Sequence, residues 1–138
     1  MRFAVEVSLP PVELTPNKRN RRGGYWAASS AQKTWQSEVV LSALAALGQR
    51  YHVDGMPWKR SRISLEVWWP AGQRRWDNDA LMAAMKSGID ALTARHKDGV
   101  GIIVDDGPDN LTWSTIVHHR LLVPYGGKVV IQIEKEEL

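Results

Sequence analysis

The sequence predicts an α+β domain, a small mixed β-sheet with two main helices packed on one face, in the order βαβαββ. Its 138 residues suit a single domain, residues 1–138, with one hydrophobic core. Apolar and polar residues alternate near both chain ends and in the middle, which is typical of half-buried strands. Two longer stretches between these segments repeat their apolar residues at helical spacing.

The first half of the chain predicts a strand, a loop and a helix. Residues 3–9 alternate imperfectly and end at a Pro-Pro pair, which favours a strand. Residues 14–28 contain proline and a Gly-Gly pair, so they predict a loop. We expect the first main helix to begin with a capping box of Ser29 and Gln32 and to stop at Gly48. Its apolar residues recur at helical spacing: Trp35, Val39, Ala43 and Leu47.

A second strand and a second main helix follow. The strand alternates clearly and is ended by Pro70; its apolar residues are Ile63, Leu65, Val67 and Trp69. The helix is predicted from about Asp79 to Arg95. A broad apolar stripe should face the sheet: Leu81, Ala84, Met85, Gly88, Ile89 and Leu92.

Two strands are predicted at the C-terminal end. A short apolar run at residues 102–104 precedes them. Residues 112–123 predict a long strand, and residues 125–128 predict a hairpin turn. The last strand is indicated by alternating Val129, Ile131 and Ile133.

The composition excludes several classes of protein. The chain has no cysteine, which excludes thiolate catalysis and zinc–thiolate sites and fits a reducing cytoplasm. The N-terminus lacks the apolar core of a signal peptide. No apolar run is long enough to span a bilayer, so we expect no membrane partner.

The charge is unevenly distributed along the chain. Residues 1–75 carry 12 Lys and Arg against 5 Asp and Glu, whereas residues 76–138 carry 6 against 10. The cations form three clusters: Lys18, Arg19, Arg21 and Arg22; Lys59, Arg60 and Arg62; and Arg74 with Arg75. A solvated loop would explain any one cluster. Three clusters in one small domain favour a polyanion, because arginine can grip phosphates bidentately.

The acidic residues suggest a divalent-metal site. Asp79, Lys86 and Asp90 lie along the polar side of the predicted helix. Helix capping, the macrodipole and an ordinary Lys86–Asp90 pair explain this pattern without any function. Asp105 and Asp106 follow an apolar run, and the alternative for them is a polar turn.

Carboxylates repel at close range, so a cluster of them needs a cation. Oxygen ligands suit Mg²⁺ or Mn²⁺. If the fold brings Asp106 beside Asp77 and Asp79, the three would form such a site. His118 and His119 would point to opposite faces of a strand, so at most one could join, and we interpret both as ordinary strand residues.

Together these residues resemble the RusA-like Holliday-junction resolvases. The resemblance rests on Asp-x-Asp, a following Leu and Lys, Asp-Ala-Leu, and an apolar run ending in Asp-Asp. In this chain the matching residues are Asp77, Asp79, Leu81, Lys86, Asp90-Ala91-Leu92 and Asp105-Asp106. The Leu-Pro-Pro opening with Asn17 and the last two strands also fit, so the resemblance covers nearly the whole chain.

The resemblance implies a homodimeric, Mg²⁺-dependent endonuclease that cuts four-way DNA junctions in recombination and repair, in the cytoplasm of a bacterium or on behalf of a phage. It implies that Asp77, Asp79 and Asp106 are catalytic metal ligands and that Lys86 is a catalytic or phosphate-contacting lysine. Asp90 and Asp105 would support them. One departure concerns the metal's surroundings, since the family commonly has Asn where this chain has Ala80.

Two alternatives remain open beside the junction resolvase. One is a nuclease of the same fold that prefers other branched DNA, such as flaps or forks. The other is a DNA-binding module that has lost its chemistry through changes such as Ala80. In each case the arginines before Asp77 would hold the DNA backbone.

Overall fold

A four-stranded mixed sheet and two long helices form the domain. The computed structural model describes residues 2–19, 24–48 and 55–136. The strands are β1 (Arg2–Ser8), β2 (Ser61–Trp69), β3 (Leu111–Arg120) and β4 (Lys128–Lys135). The helices are α1 (Pro16–Arg19), α2 (Gly24–Leu47) and α3 (Asn78–Leu92), with a 3-10 turn at Val12–Leu14. The predicted α+β class is confirmed, while the order βαβαββ is not matched exactly, since the turn and α1 intervene before α2.

The strand order β1-β4-β2-β3 overturns the predicted hairpin at residues 125–128. β4 pairs antiparallel with both β1 and β2, and β3 pairs with β2 in parallel. The last two strands therefore lie on opposite sides of β2 and do not pair with each other. Tertiary pairing decides this arrangement, because β2, α3 and β3 form a crossover unit and leave the other edge of β2 to β4.

The start of α2 is a second correction. The helix begins at Gly24, so Ser29 and Gln32 lie inside it and form no capping box, and part of the predicted loop is helical. Ala28 is buried two turns before Trp35, so the buried stripe extends N-terminally beyond the predicted start. The predicted stop is confirmed, since Gly48 follows the last turn with a φ of 54°.

Helix α3 carries the predicted stripe and packs closely on α2. Every residue of that stripe is buried. At Gly88 the two helices approach so closely that an added Cβ would lie 2.4 Å from Cζ3 of Trp35. A side chain at this position would force the helices apart, so glycine is required for the contact. This packing fixes the position of α3 relative to α2 and the core.

Strand β3 is the most exposed strand. It lies at the sheet edge, and only Leu111 is buried along its length. A bulge interrupts its register between Ile63 and Leu65 of β2. Side chains of β3 on the helix side contact α3 and the segment leading into it. No helix within the described residues combines the length and apolar character needed to cross a bilayer.

Candidate functional site

The N-terminus of α3 presents two exposed carboxylates. Asp77 is the N-cap, and its Oδ1 accepts a hydrogen bond of 2.8 Å from the backbone N–H of Ala80. Asp79 lies in the first turn, and both side chains are exposed. The capping role weighed for the aspartates is thus confirmed for Asp77. Both carboxylates also face solvent, where an external cation can reach them.

A cavity of about 810 Å³ lies beside this helix end. Its lining includes Lys18, Arg74, Arg75, Trp76 and Asp77. Two of the three predicted cationic clusters therefore reach one concavity, together with an aromatic ring and a carboxylate. Guanidinium and ammonium groups that share a cavity in this way are suited to bind phosphate groups.

Three other predicted DNA-contacting residues cannot be placed in this cavity. Arg21 and Arg22 lie outside the described residues, as does the side chain of Arg19 at the end of α1. Lys18 alone represents its cluster in the described part of the chain.

The segment between β2 and α3 is held by side chains from the end of β3. Arg120 donates hydrogen bonds through Nη1 to the carbonyl oxygens of Pro70, at 2.8 Å, and Gln73. Trp76 packs at 58° against Trp69, with ring centroids 5.4 Å apart. The arginine pair thus projects from a segment that is fixed at its base. Sequence reasoning did not identify Arg120, because its role depends on the parallel pairing of β2 and β3.

His118 makes two further contacts at this place. Its Nδ1 accepts a 2.9 Å hydrogen bond from Nε1 of Trp69, and its Nε2 lies 2.9 Å from Oδ1 of Asn78. Burial, then the nearby charge of Arg75, lowers the pKa of His118. His119 faces the other side and stacks on Trp68 at 4.5 Å. The prediction of opposite faces is confirmed, and His118 joins β2 to the start of α3 through its two contacts.

A second cluster lies further along α3. Nζ of Lys86 is 4.0 Å from Oδ1 of Asp90 and 3.6 Å from Oδ2 of Asp106. Burial and a hydrogen bond with Asp106 raise the pKa of Asp90, although the charge of Lys86 opposes that rise. Lys86 and Asp106 also line a cavity of about 210 Å³ with Trp113. This cluster supplies its own cation.

Asp105 binds an arginine outside that cluster. Its Oδ2 accepts a 2.8 Å hydrogen bond from Nη1 of Arg95, and its Oδ1 accepts one from the backbone N–H of Asp106. The bond from Arg95 contributes most to lowering the pKa of Asp105. Asp105 thus holds the turn that presents Asp106.

The structure does not bring Asp106 together with Asp77 and Asp79. Asp106 contacts Lys86 and Asp90, and Asp90 follows Asp79 by 11 positions. At the helical rise Asp79 and Asp90 are about 16 Å apart along the axis, while Asp106 also lines a cavity with Met82 and Ala83, nearer the helix start. Within residues 2–19, 24–48 and 55–136, no group of three or more His, Cys, Asp or Glu side chains is arranged to hold a metal ion. Within the described residues the predicted acidic cluster is instead two groups: Asp77 with Asp79 at the start of α3, and Asp90 of α3 with Asp106 from the segment before β3.

Comparison with known proteins does not assign this site to a family. No protein-family model matches the chain, and no curated protein is significantly similar to it.

Proposed function

We propose that this protein is a Mg²⁺-dependent, structure-specific DNA endonuclease that cuts branched DNA, with four-way junctions as its main substrate. The observation that carries the proposal is the shared cavity in which Lys18, Arg74 and Arg75 accompany Asp77. Cations that hold a phosphate backbone next to exposed carboxylates are the parts a metal-dependent phosphodiesterase needs.

The cations would bind and orient the DNA backbone. Arg74 and Arg75 are exposed, and their segment is anchored by the bonds from Arg120. A guanidinium on a fixed segment loses less freedom when it binds, so it positions a phosphate better than one on a free loop. Trp76, which is partly buried against Trp69, supports the segment from below.

Asp77 and Asp79 would hold the metal ion. Mg²⁺ typically takes one or two carboxylates together with waters and substrate phosphate oxygens, and Mn²⁺ accepts similar ligands. Two exposed carboxylates beside a phosphate-binding cavity fit that requirement. A bound ion would polarise the scissile phosphate and lower the pKa of a water. Asp106, predicted as a third ligand, contacts Lys86 in the structure.

Lys86, held by its two carboxylates, would contact the DNA backbone from the side of α3. Lys86 is largely exposed, so its ammonium group can reach a phosphate while Asp90 and Asp106 restrict its position. Asp105 would keep Asp106 in place through the bond to its backbone N–H. Two copies of the chain would supply the two cuts that a symmetric junction requires, and we therefore include a homodimer in the proposal.

A second candidate is a DNA-binding module without chemistry. The separation of Asp106 from Asp77 and Asp79 favours it, as does Ala80 in place of an amide side chain. This candidate keeps the cationic cavity and predicts DNA binding that does not need Mg²⁺.

One experiment separates these candidates. The purified chain is incubated with four-way, flap, forked and linear DNA, with and without Mg²⁺, and both binding and cleavage are measured. We expect Mg²⁺-dependent cleavage that is fastest on the four-way junction. Faster cleavage of flaps or forks would show that these, and not four-way junctions, are the main substrate. Binding without cleavage would favour the DNA-binding module. No preference for branched over linear DNA would contradict the proposal.

A further inference from the structure

His118 connects a buried indole to the residue between the two exposed aspartates. Trp69 is 1% exposed and belongs to the core. Its Nε1 lies 2.9 Å from Nδ1 of His118, whose Nε2 lies 2.9 Å from Oδ1 of Asn78. Asn78 is the first residue of α3 and directly separates Asp77 from Asp79. The imidazole ring is therefore a bridge from the core to the Asp-Asn-Asp segment.

The chemistry of the partners determines the protonation of the ring. An indole N–H can only donate, so Nδ1 of His118 must be the acceptor. The proton of the neutral ring then lies on Nε2 and is donated to the amide oxygen of Asn78. Burial and the charge of Arg75, which lower the pKa of His118, favour this neutral form.

The bridge holds one end of a segment whose other end is also held by β3. Arg120, two positions after His118, binds the carbonyl oxygens of Pro70 and Gln73. The edge strand thus contacts the segment of residues 70–78 at its beginning and at its end. The first turn of α3 is also held by its cap, the bond between Asp77 and the N–H of Ala80, and by buried Leu81.

We propose that His118, as the neutral Nε2–H tautomer bonded to Trp69 and Asn78, is a positioning residue that orients the first turn of α3 and thereby the carboxylates of Asp77 and Asp79. Its consequence for metal binding rests on the proposed function. The ring need not touch the metal or the DNA, because it acts through the amide of Asn78. Positioning groups of this kind typically change metal affinity or activity about 10- to 100-fold when removed.

Two substitutions separate the two bonds of the ring. His118→Asn keeps an acceptor near the position of Nδ1 and loses the reach to Asn78, whereas His118→Gln places an amide donor near the position of Nε2. Asn78→Ala removes the acceptor on α3 without altering the strand. His119→Gln is the matched control, because His119 lies on the other face against Trp68.

The test measures the first turn directly in the full-length chain. ¹⁵N NMR of the unmodified protein should show His118 protonated at Nε2 and accepting at Nδ1. Hydrogen exchange of the Ala80 amide reports the Asp77 cap, and Mg²⁺ titration of the amide resonances of residues 77–80 reports the carboxylates. We expect faster Ala80 exchange and about 10- to 100-fold weaker Mg²⁺ binding in His118→Asn and Asn78→Ala. His118→Gln and His119→Gln should stay close to the unmodified protein.

A His118 ring protonated at Nδ1 would overturn the inference. So would Ala80 exchange and Mg²⁺ binding that are unchanged in both His118→Asn and Asn78→Ala, with circular dichroism showing them folded. Equal losses in His118→Gln and His118→Asn would indicate a general packing role and would also contradict it. If the unmodified protein binds no Mg²⁺ and cuts no DNA, the proposed function fails, while the tautomer and the Ala80 exchange still decide the positioning role.

Discussion

Two groups of carboxylates lie along α3, the second with Asp106 from the segment before β3, and the groups differ in what neutralises them. At the start of α3, Asp77 and Asp79 are exposed, and no ion pair within the described residues involves either of them. Lys86 lies about two turns after Asp79, and Asp90 and Asp106 share its ammonium group. The first group is thus open to an external cation, whereas the second is compensated within the chain.

The difference shows where a metal ion gains most. A carboxylate that already contacts a lysine must give up that contact, or accept a second positive charge nearby, before it can ligate Mg²⁺. Asp77 and Asp79 form no ion pair within the described residues, so neither has to give up such a contact. We therefore expect the helix start to carry the chemistry and the Lys86 cluster to carry substrate contact and stability.

The largest effect should come from removing a charge at the helix start. Asp79→Asn should lower Mg²⁺-dependent cleavage of a four-way junction at least about 100-fold, or about 2.7 kcal/mol, because a metal ligand is lost. Junction binding should be retained. Asp106→Asn should cost less, about 10-fold, since Asp106 acts through Lys86.

Single-turnover cleavage assays with excess protein measure this difference. Asp109→Asn, which changes another exposed acid, is the control. Cleavage by Asp79→Asn at the normal rate would remove the helix start from the chemistry. A larger loss in Asp106→Asn would reverse the comparison between the two groups.

A smaller effect should follow from neutralising the cations beside the helix start. Arg74→Gln and Arg75→Gln should each weaken junction binding and reduce the slope of log K against log salt by about 1, because each phosphate contact releases about one counterion. Fluorescence anisotropy across a salt series measures both quantities. Lys97→Gln, an exposed cation on the turn after α3, should leave the slope unchanged. If Arg74→Gln and Arg75→Gln gave the same slope as Lys97→Gln, the cavity would not be part of the DNA-binding surface.

The smallest effect concerns the pH dependence of the Lys86 cluster. Because the pKa of Asp90 is raised in the folded protein, the native state binds more protons than the unfolded chain, and this contribution to stability falls as pH rises from about 3.8 through the folded pKa. Asp90→Asn removes that fall. It should raise the free energy of unfolding at pH 7 by less than about 1 kcal/mol, since Asp90 is only partly buried.

Urea unfolding of the unmodified protein and Asp90→Asn at pH 3 and pH 7 tests this expectation. The two proteins should be equally stable at pH 3, where Asp90 is protonated in both states. A destabilisation by Asp90→Asn that grows with pH would mean that the ionised carboxylate stabilises the fold through Lys86.

Periodicity predicted the parts of the fold that depend on local pattern. The strand through Ile63 and Trp69, the last strand, the buried stripe of α3 and the stop at Gly48 all follow from spacing and from glycine. The start of α2 did not, because a Ser-x-x-Gln pattern is also compatible with a helix interior. Packing of Ala28 against the core outweighed it.

The candidate site likewise has a part that local sequence predicts and a part that depends on tertiary structure. Chain order alone predicted that Arg74, Arg75, Asp77 and Asp79 lie together, since they are near neighbours in the sequence and lie at one helix end wherever that helix packs. The placement of Asp106 on Lys86, and the roles of His118 and Arg120, depend on β3 lying parallel to β2. Local spacing specifies which face a side chain takes, but pairing between distant strands specifies which neighbour it meets, and that pairing is settled only when the whole core is buried.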